Sequence, residues 1–341
     1  MFHIGIIGGG GISDTHARAA IEVDNAEVSA FVGANKDKVE LLSQKYGGAA
    51  YVDFDSFLNH KPLDAVMIGS PSGLHAQQGI ECARRGMHVL VEKPIDVTVN
   101  KADALIAECD RMNVKLGVCF QDRGSGDFIR LKGLIESGNL GKVILVSGRV
   151  KWYRPPEYYS GSRWRGKLDL DGGGALMNQG VHTVDLLLWL LGDVERVYAR
   201  SLTALHEIES EDTLVATLEF ANGALGTLEA ATSVFPGYDR RVEITGSEGT
   251  IIVERDRIVR ADLKTPLPNG LDPSEQDTNP SSTSPIVSDV SGHKRILEDF
   301  LKAIATNTTP RCDGREGRRS VKLVQAIYES AGTGRVVDVS R

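Results

Sequence analysis

The N-terminal run Phe2–Ala20, FHIGIIGGGGISDTHARAA, constrains this chain more than any other stretch. A β-rich pentapeptide, His3–Ile7, runs straight into four consecutive glycines, Gly8–Gly11, and a helical pattern begins near Asp14. Strand, glycine turn and helix in that order open a βαβ unit. The fingerprint reads G-x-G-x-x-S, with Ser13 where a third glycine or alanine is usual. Gly8 permits the tight turn, and Gly10 lets the backbone approach a pyrophosphate. The N–H groups of Gly11, Ile12 and Ser13 at the helix start favour anionic oxygens. Such a turn can also be only a turn, and its neighbours decide between the two. β-rich runs at Val28–Val32, Ala49–Val52, Ala65–Ile68, His88–Val91 and Lys115–Val118 alternate with amphipathic stretches such as Asp37–Lys45, His75–Arg85 and Lys101–Arg111. Six strands with intervening helices predict a doubly wound parallel sheet of the Rossmann kind, and the glycine turn predicts a dinucleotide site.

Open sheets of this kind bind ligands beyond the carboxyl ends of their strands. After the fourth strand that edge holds Gly69-Ser70-Pro71-Ser72-Gly73, with His75 opening the next helix. After the fifth it holds Glu92-Lys93-Pro94, and Pro94 keeps Lys93 out of the helical region, fixing its direction. The second strand lacks the acid that would hold a ribose 2′-hydroxyl: Val32 is followed by Gly33-Ala34-Asn35-Lys36-Asp37-Lys38. Gly33 leaves room and does not repel a 2′-phosphate, Asn35 can donate to one, and Lys36 or Lys38 can neutralise it. NADP is therefore expected to be accepted, with a modest edge over NAD.

Beyond Cys119 the pattern changes to a helix over Asp127–Ser137, a long strand near Lys142–Trp152 and an aromatic, basic loop over Tyr153–Leu170. Long alternating strands follow Gly192, with a two-residue hairpin signal at Asn222-Gly223. A polar stretch, Thr265–Ser291, reads as a surface loop, and two helices close the chain. The division expected is a dinucleotide-binding domain over 1–122 and an α+β domain over 123–341, whose large open-faced sheet is mainly antiparallel. The closing helices are able to pack back on the first domain.

The chemistry of the second part centres on Asp171–Gly192, DGGGALMNQGVHTVDLLLWLLG. Asn178, His182 and Asp185 fall at i, i+4 and i+7, on one stripe of a helix whose other residues are mostly Leu, Val, Met and Trp. Three polar groups there are costly unless paired. A lone histidine in such a place is most often a satisfied core residue, but the glycine run beside it points to a close approach and a site. Arg154, Tyr158, Tyr159, Arg163, Trp164 and Arg165 in the preceding loop suit a polyhydroxylated ligand, as does Arg123 after the sixth strand. Aromatic faces stack on sugar C–H groups, and guanidinium forks bind carboxylate or phosphate.

A net charge of −7 argues against a nucleic-acid partner. The apolar run Leu186–Leu191 is far too short to span a bilayer, and the start of the chain has no basic n-region, so neither membrane nor export is expected. Cys82, Cys109, Cys119 and Cys312 show no metal-ligand spacing, which predicts reduced thiols in a cytoplasmic protein without a metal.

In the N-terminal turn, in Glu92-Lys93-Pro94 and in the Gly172–Asp185 segment, the chain resembles the glucose–fructose oxidoreductase / inositol dehydrogenase / MocA-type family. The resemblance extends from Ile4 to the closing helix that contains Ala326-Ile327-Tyr328-Glu329-Ser330. It implies NAD(P)-dependent hydride transfer at a secondary alcohol of a sugar, glycoside, nucleotide sugar or cyclic polyol. Lys93 matches the family lysine that polarises the carbinol oxygen, and His182 its acid–base histidine. Asn178 stands where inositol-dehydrogenase-like members carry Asp; asparagine here is similar to the nucleotide-sugar or glycoside 3-dehydrogenase branch, with Asp185 the nearby carboxylate. Homodimers or homotetramers through the open face of the second sheet are implied as well. Two other functions are compatible with this architecture. One is a glycoside hydrolase that uses NAD transiently; the other is a non-catalytic NAD(P)-sensing regulator, which would be expected to lack Lys93 or His182.

Overall fold

The computed structural model describes residues 1–266 and 289–339, so most of the expected loop Thr265–Ser291 lies outside the described residues. The chain divides into two compact units. One is built from Met1–Gly124 and the later segment up to Arg318; the other begins at Ser125 and resumes at Arg319.

The first unit alternates β1 (Phe2–Ile7), α1 (Gly11–Ile21), β2 (Ala26–Val32), α2 (Lys36–Tyr46), β3 (Ala49–Tyr51), α3 (Phe54–Leu58), β4 (Ala65–Ile68), α4 (His75–Arg84), β5 (His88–Glu92), α5 (Val99–Arg111) and β6 (Leu116–Cys119). The strands form one sheet in the order β3-β2-β1-β4-β5-β6, and every pairing is parallel. β4 is buried along its whole length, as strands covered on both faces must be. The reversal of strand order between β1 and β4 opens a crevice at their carboxyl ends.

The second unit opens with α6 (Gly126–Glu136), β7 (Val143–Lys151) and the single turn α7 (Glu157–Ser160). A π-wound stretch, Ala175–Gly180, then leads directly into α8 (Val181–Leu191). β8 (Val194–Leu202), β9 (Thr213–Phe220), β10 (Leu225–Ala231), β11 (Arg241–Gly246), β12 (Gly249–Glu254) and β13 (Arg257–Leu263) follow. Asn222-Gly223 makes the expected hairpin between β9 and β10, with Gly223 at φ 85°. One face of the sheet buries Val146, Val150, Leu214, Ala216, Leu218, Leu228 and Ala230. On the other, Leu145, Val215 and Leu225 stay exposed.

α9 (Ser291–Thr306) belongs to the first unit, where Ile296, Leu297, Phe300 and Leu301 join Ile4, Ile6, Phe31 and Leu90 in one core. α10 (Gly314–Thr333) and β14 (Val337–Asp338) end the described chain, and β14 completes an eight-stranded sheet in the order β13-β12-β11-β7-β10-β9-β8-β14. Within this sheet, among the described residues, only β7 and β10 pair in parallel. The expected classes, Rossmann α/β and mainly antiparallel α+β, are both present.

Candidate active site

β1 delivers the chain to Gly8, whose φ of 132° is open in practice only to glycine. Side chains at Gly10 and Gly11 would meet nothing within 4 Å, and Gly10 caps α1 without a side-chain bond. The first-turn N–H groups of α1, those of Gly11 and Ile12 included, can therefore serve an anion, and a pyrophosphate fits this open cradle. Ser13 is fully buried against Gly8, so it performs the close packing of helix on strand that a third glycine usually allows. Gly33 is less roomy than expected. A Cβ there would come within 3.0 Å of Val39 and 3.2 Å of the Gly8 backbone, so any side chain at this position requires those neighbours to give by a few tenths of an ångström. Asn35 caps α2, its Oδ1 accepting from the Lys38 N–H at 3.0 Å. The Lys38 stem runs beside Gly9, at the glycine turn itself.

β5 ends in Glu92, and the Lys93–Pro94 peptide bond beyond it is cis. Lys93 is half-buried. Glu92, expected among the cofactor contacts, is instead buried: its Oε1 lies 2.8 Å from His16 Nε2 and 3.5 Å from His293 Nε2, and its Oε2 accepts the Lys93 N–H at 3.2 Å. Burial alone would raise its pKa, but the hydrogen bonds from His16 and His293 hold it well below the usual carboxylate range. His75 is likewise buried rather than exposed to a ligand. Nδ1 and Nε2 lie 2.8 Å from the Pro94 carbonyl and 2.9 Å from the Ser70 carbonyl, tying the two strand-end loops together. Ser70 Oγ donates to Gln78, and Ser70 and Pro71 stay half-buried at the edge. Asp96, unmarked by any sequence signal, caps α4 by accepting the Ala76 N–H at 2.8 Å. Arg123 requires a correction. It is 1% exposed and ion-paired to Glu316 at 3.0 Å, so it is an internal brace and not a substrate wall.

In the second unit the glycine run does permit a close approach, but by the chain itself. Side chains at Gly173 and Gly174 would strike the Tyr328 hydroxyl and the Glu211 carbonyl. The buried Glu211 carboxyl accepts the Gly174 N–H at 3.1 Å, the Leu176 N–H at 2.8 Å and the Tyr328 hydroxyl at 3.1 Å. Burial raises its pKa to about 7, against the pull of these donors. On the stretch that Glu211 holds, Asn178 Nδ2 donates to Asp171 Oδ1 at 2.7 Å, while Asp171 Oδ2 accepts the Gly166 N–H at 2.8 Å. His182 follows in the first turn of α8, half-buried. Asp185, expected as the carboxylate nearby, is fully buried and accepts from Ser320 Oγ at 3.1 Å, which gives it a packing role. The carboxylate bonded to Asn178 is Asp171, visible in sequence only as the residue heading the glycines.

The basic loop is ordered as a stack. Arg154, expected to face the ligand, is instead buried at 3% exposure, its guanidinium 5.0 Å from the Trp152 ring centre and 5.5 Å from that of Tyr158. Arg165 lies 4.2 Å from Tyr158 and 5.5 Å from Trp164. Gln179, next to Asn178, donates to the Tyr158 hydroxyl at 3.1 Å, joining the stack to the π-wound stretch. Arg163 is exposed. Tyr159 is largely an anchor, buried with its hydroxyl 2.8 Å from Thr232 Oγ1. A cavity of about 500 Å³ opens beside Arg165 and Lys167.

Residues 2–120 match the model described as "Oxidoreductase family, NAD-binding Rossmann fold", and residues 128–252 the "GFO/IDH/MocA C-terminal domain". The WlbA dehydrogenase from Bordetella pertussis, solved in complex with NADH and UDP-GlcNAcA, is 33% identical, with a TM-score of 0.89 over 99% of this chain and 97% of that one. The chain belongs to the GFO/IDH/MocA family. Curated relatives in the family include the myo-inositol 2-dehydrogenase of Thermotoga maritima, 27% identical over 96% of this chain and 95% of that protein. Another is the D-xylose 1-dehydrogenase (NADP(+)) 2 of Haloferax volcanii, 28% identical over 98% and 99%. The chain is accordingly an NAD(P)-dependent oxidoreductase of the sugar and polyol dehydrogenase class. No helix among the described residues is long and apolar enough to cross a membrane.

Proposed function

We propose that this GFO/IDH/MocA enzyme transfers hydride at a secondary alcohol on the sugar of an anionic, nucleotide-linked substrate. The observation that carries the reading is the guanidinium–aromatic stack joined through Gln179 to the segment bearing Asn178 and His182. Arg165, half-buried in the stack, carries a planar cation suited to a carboxylate or diphosphate, a feature a neutral polyol does not need, while the buried Arg154 braces the stack. The likeness to WlbA, and asparagine rather than an acid at position 178, support the same substrate class.

A bound nicotinamide dinucleotide supplies the hydride acceptor, and the Gly8–Ser13 turn would hold its pyrophosphate. His182 takes the hydroxyl proton, since imidazole titrates in the useful range. The Lys93 ammonium hydrogen-bonds the carbinol oxygen and stabilises developing alkoxide charge. Asn178, fixed by Asp171, orients the substrate through its side-chain carbonyl. Both NAD(H) and NADP(H) are accepted, with a modest edge for NADP(H) from Lys38. The assembly is a dimer or tetramer formed through the open sheet face.

Reduction of NAD(P)⁺ at 340 nm tests the reading. A UDP-linked sugar acid such as UDP-GlcNAcA is expected to give kcat/KM at least about ten-fold above that of neutral inositols and pentoses. His182→Ala is expected to lower kcat by about 10²–10⁴-fold with cofactor affinity little changed. Preference for a neutral polyol would overturn the substrate class; near wild-type turnover in the variant would remove His182 from the mechanism.

A further inference from the structure

Four chemistry-bearing side chains from α1, β5, β6 and α9 meet inside the first unit. His16, Glu92, Cys119 and His293 are all buried, and one ligand-type atom from each lies within 4.8 Å of those of the others. This donor set could bind a metal in principle, but two details of the geometry favour another reading. His16 Nε2 and Glu92 Oε1 are 2.8 Å apart, a hydrogen-bond distance and shorter than the edge between two ligands of one tetrahedral zinc. His16 Nδ1 is buried without a hydrogen-bond partner, whereas a metal-bound imidazole almost always donates through its second nitrogen. The ring proton therefore belongs on Nε2, facing the carboxylate.

We propose that His16, His293 and Cys119 form a three-donor clamp on Glu92, and that all four are positioning residues for Lys93. The inference rests on the catalytic role proposed for Lys93. The two histidines fix Oε1, which leaves Oε2 directed at the Lys93 N–H. His75 braces the next residue by its contact with the Pro94 carbonyl. The Cys119 thiol suits its place, because burial, and then the neighbouring Glu92 charge, push its pKa well up and keep it a donor. A strand end held at two points restricts the reach of the lysine, and a displacement of about 1 Å at a reacting group can cost about 10²-fold in rate.

The test compares His16→Leu, which removes the donor, with His16→Gln, whose side-chain amide restores one. His16→Leu is expected to lower kcat by about 10–100-fold while the Kd for NADH, read by nicotinamide fluorescence, moves less than about three-fold. His16→Gln is expected to recover most of kcat. Combined with Lys93→Met, His16→Leu should cost nothing further, because its effect runs through the lysine. Should His16→Leu fail to fold, Cys119→Ala and its rescue by Cys119→Ser take its place. Near wild-type turnover in folded His16→Leu, equal losses of kcat and cofactor affinity, or no rescue by glutamine would overturn the clamp. So would one equivalent of zinc per chain whose removal abolishes activity, since the cluster would then be a metal centre. Turnover that survives Lys93→Met alone would instead overturn the role of the lysine, a separate result.

Discussion

A side chain at position 33 would press on Val39 and on the Gly8 backbone, so the place where NAD enzymes often carry an acid is constrained here by the glycine turn itself. In the proposed function, discrimination between the two dinucleotides falls to Lys38, whose stem flanks Gly9. Lys38→Ala is expected to weaken NADPH binding about ten-fold and to spare NADH, the size of one charge-assisted phosphate contact. Dissociation constants measured by nicotinamide fluorescence check this; wild-type protein that binds NADH ten-fold tighter than NADPH would contradict it. Single residues are legible in the sequence where local order constrains them. Lys93 stands between Glu92 and Pro94 at a strand end, and His182 stands one turn after Asn178. Their supports are not legible. Tyr328 meets Gly174 across 154 residues and His16 meets Glu92 across 76, and no periodicity within one chain pairs residues so far apart. No local pattern marks His16 or His293 in the sequence.

The stretch between the glycine run and Gly192 reads as helix, and it is helical, but its first six wound residues, Ala175–Gly180, are π-type. Helix starts carry N–H groups that need partners from outside the helix. Glu211 supplies two acceptors for Gly174 and Leu176 from beyond α8, which a periodicity argument does not contain. β13 is unmarked in the sequence for a related reason. The turn before it is Arg255-Asp256, at φ 49° and 65°, where glycine or asparagine is the usual signal. Glu211 also gives the π-wound stretch a pH dependence. Its pKa is about 7 in the folded chain against 4.5 for an ordinary glutamate, because burial disfavours the charge. Between those values the folded state keeps a proton that the unfolded state has released, so this contribution to stability falls as pH rises from about 4.5 to 7. Melting temperatures from pH 4.5 to 8 should show that fall, and Glu211→Gln should flatten it; an unchanged slope would place the titration elsewhere.

At the scale of the molecule, both sheet classes are legible because strand–helix alternation and long two-residue periodicity are strong patterns. The open face of the second sheet exposes Leu145 beside Leu225 and, separately, Val215 opposite Glu229. An antiparallel sheet tolerates one wet face, and the proposed assembly would cover these exposed apolar side chains with a second copy. Light scattering at micromolar concentration is expected to give at least twice the mass of one chain, and Leu225→Glu to lower it; a monomeric wild type would refute this. α9 has a different consequence, one of timing. Ile296, Leu297, Phe300 and Leu301 fill the same core as Ile4 and Phe31, so the unit that starts the chain lacks part of its interior until residues near its end have been made. At about 5–20 residues per second, a ribosome leaves that core open for on the order of ten seconds or more. A fragment ending at Gly124 should accordingly be loosely packed, bind the dye ANS and hold no dinucleotide, and a peptide spanning α9 added in trans should reverse all three; a fragment that is tightly folded on its own would show that the core closes without its latest residues.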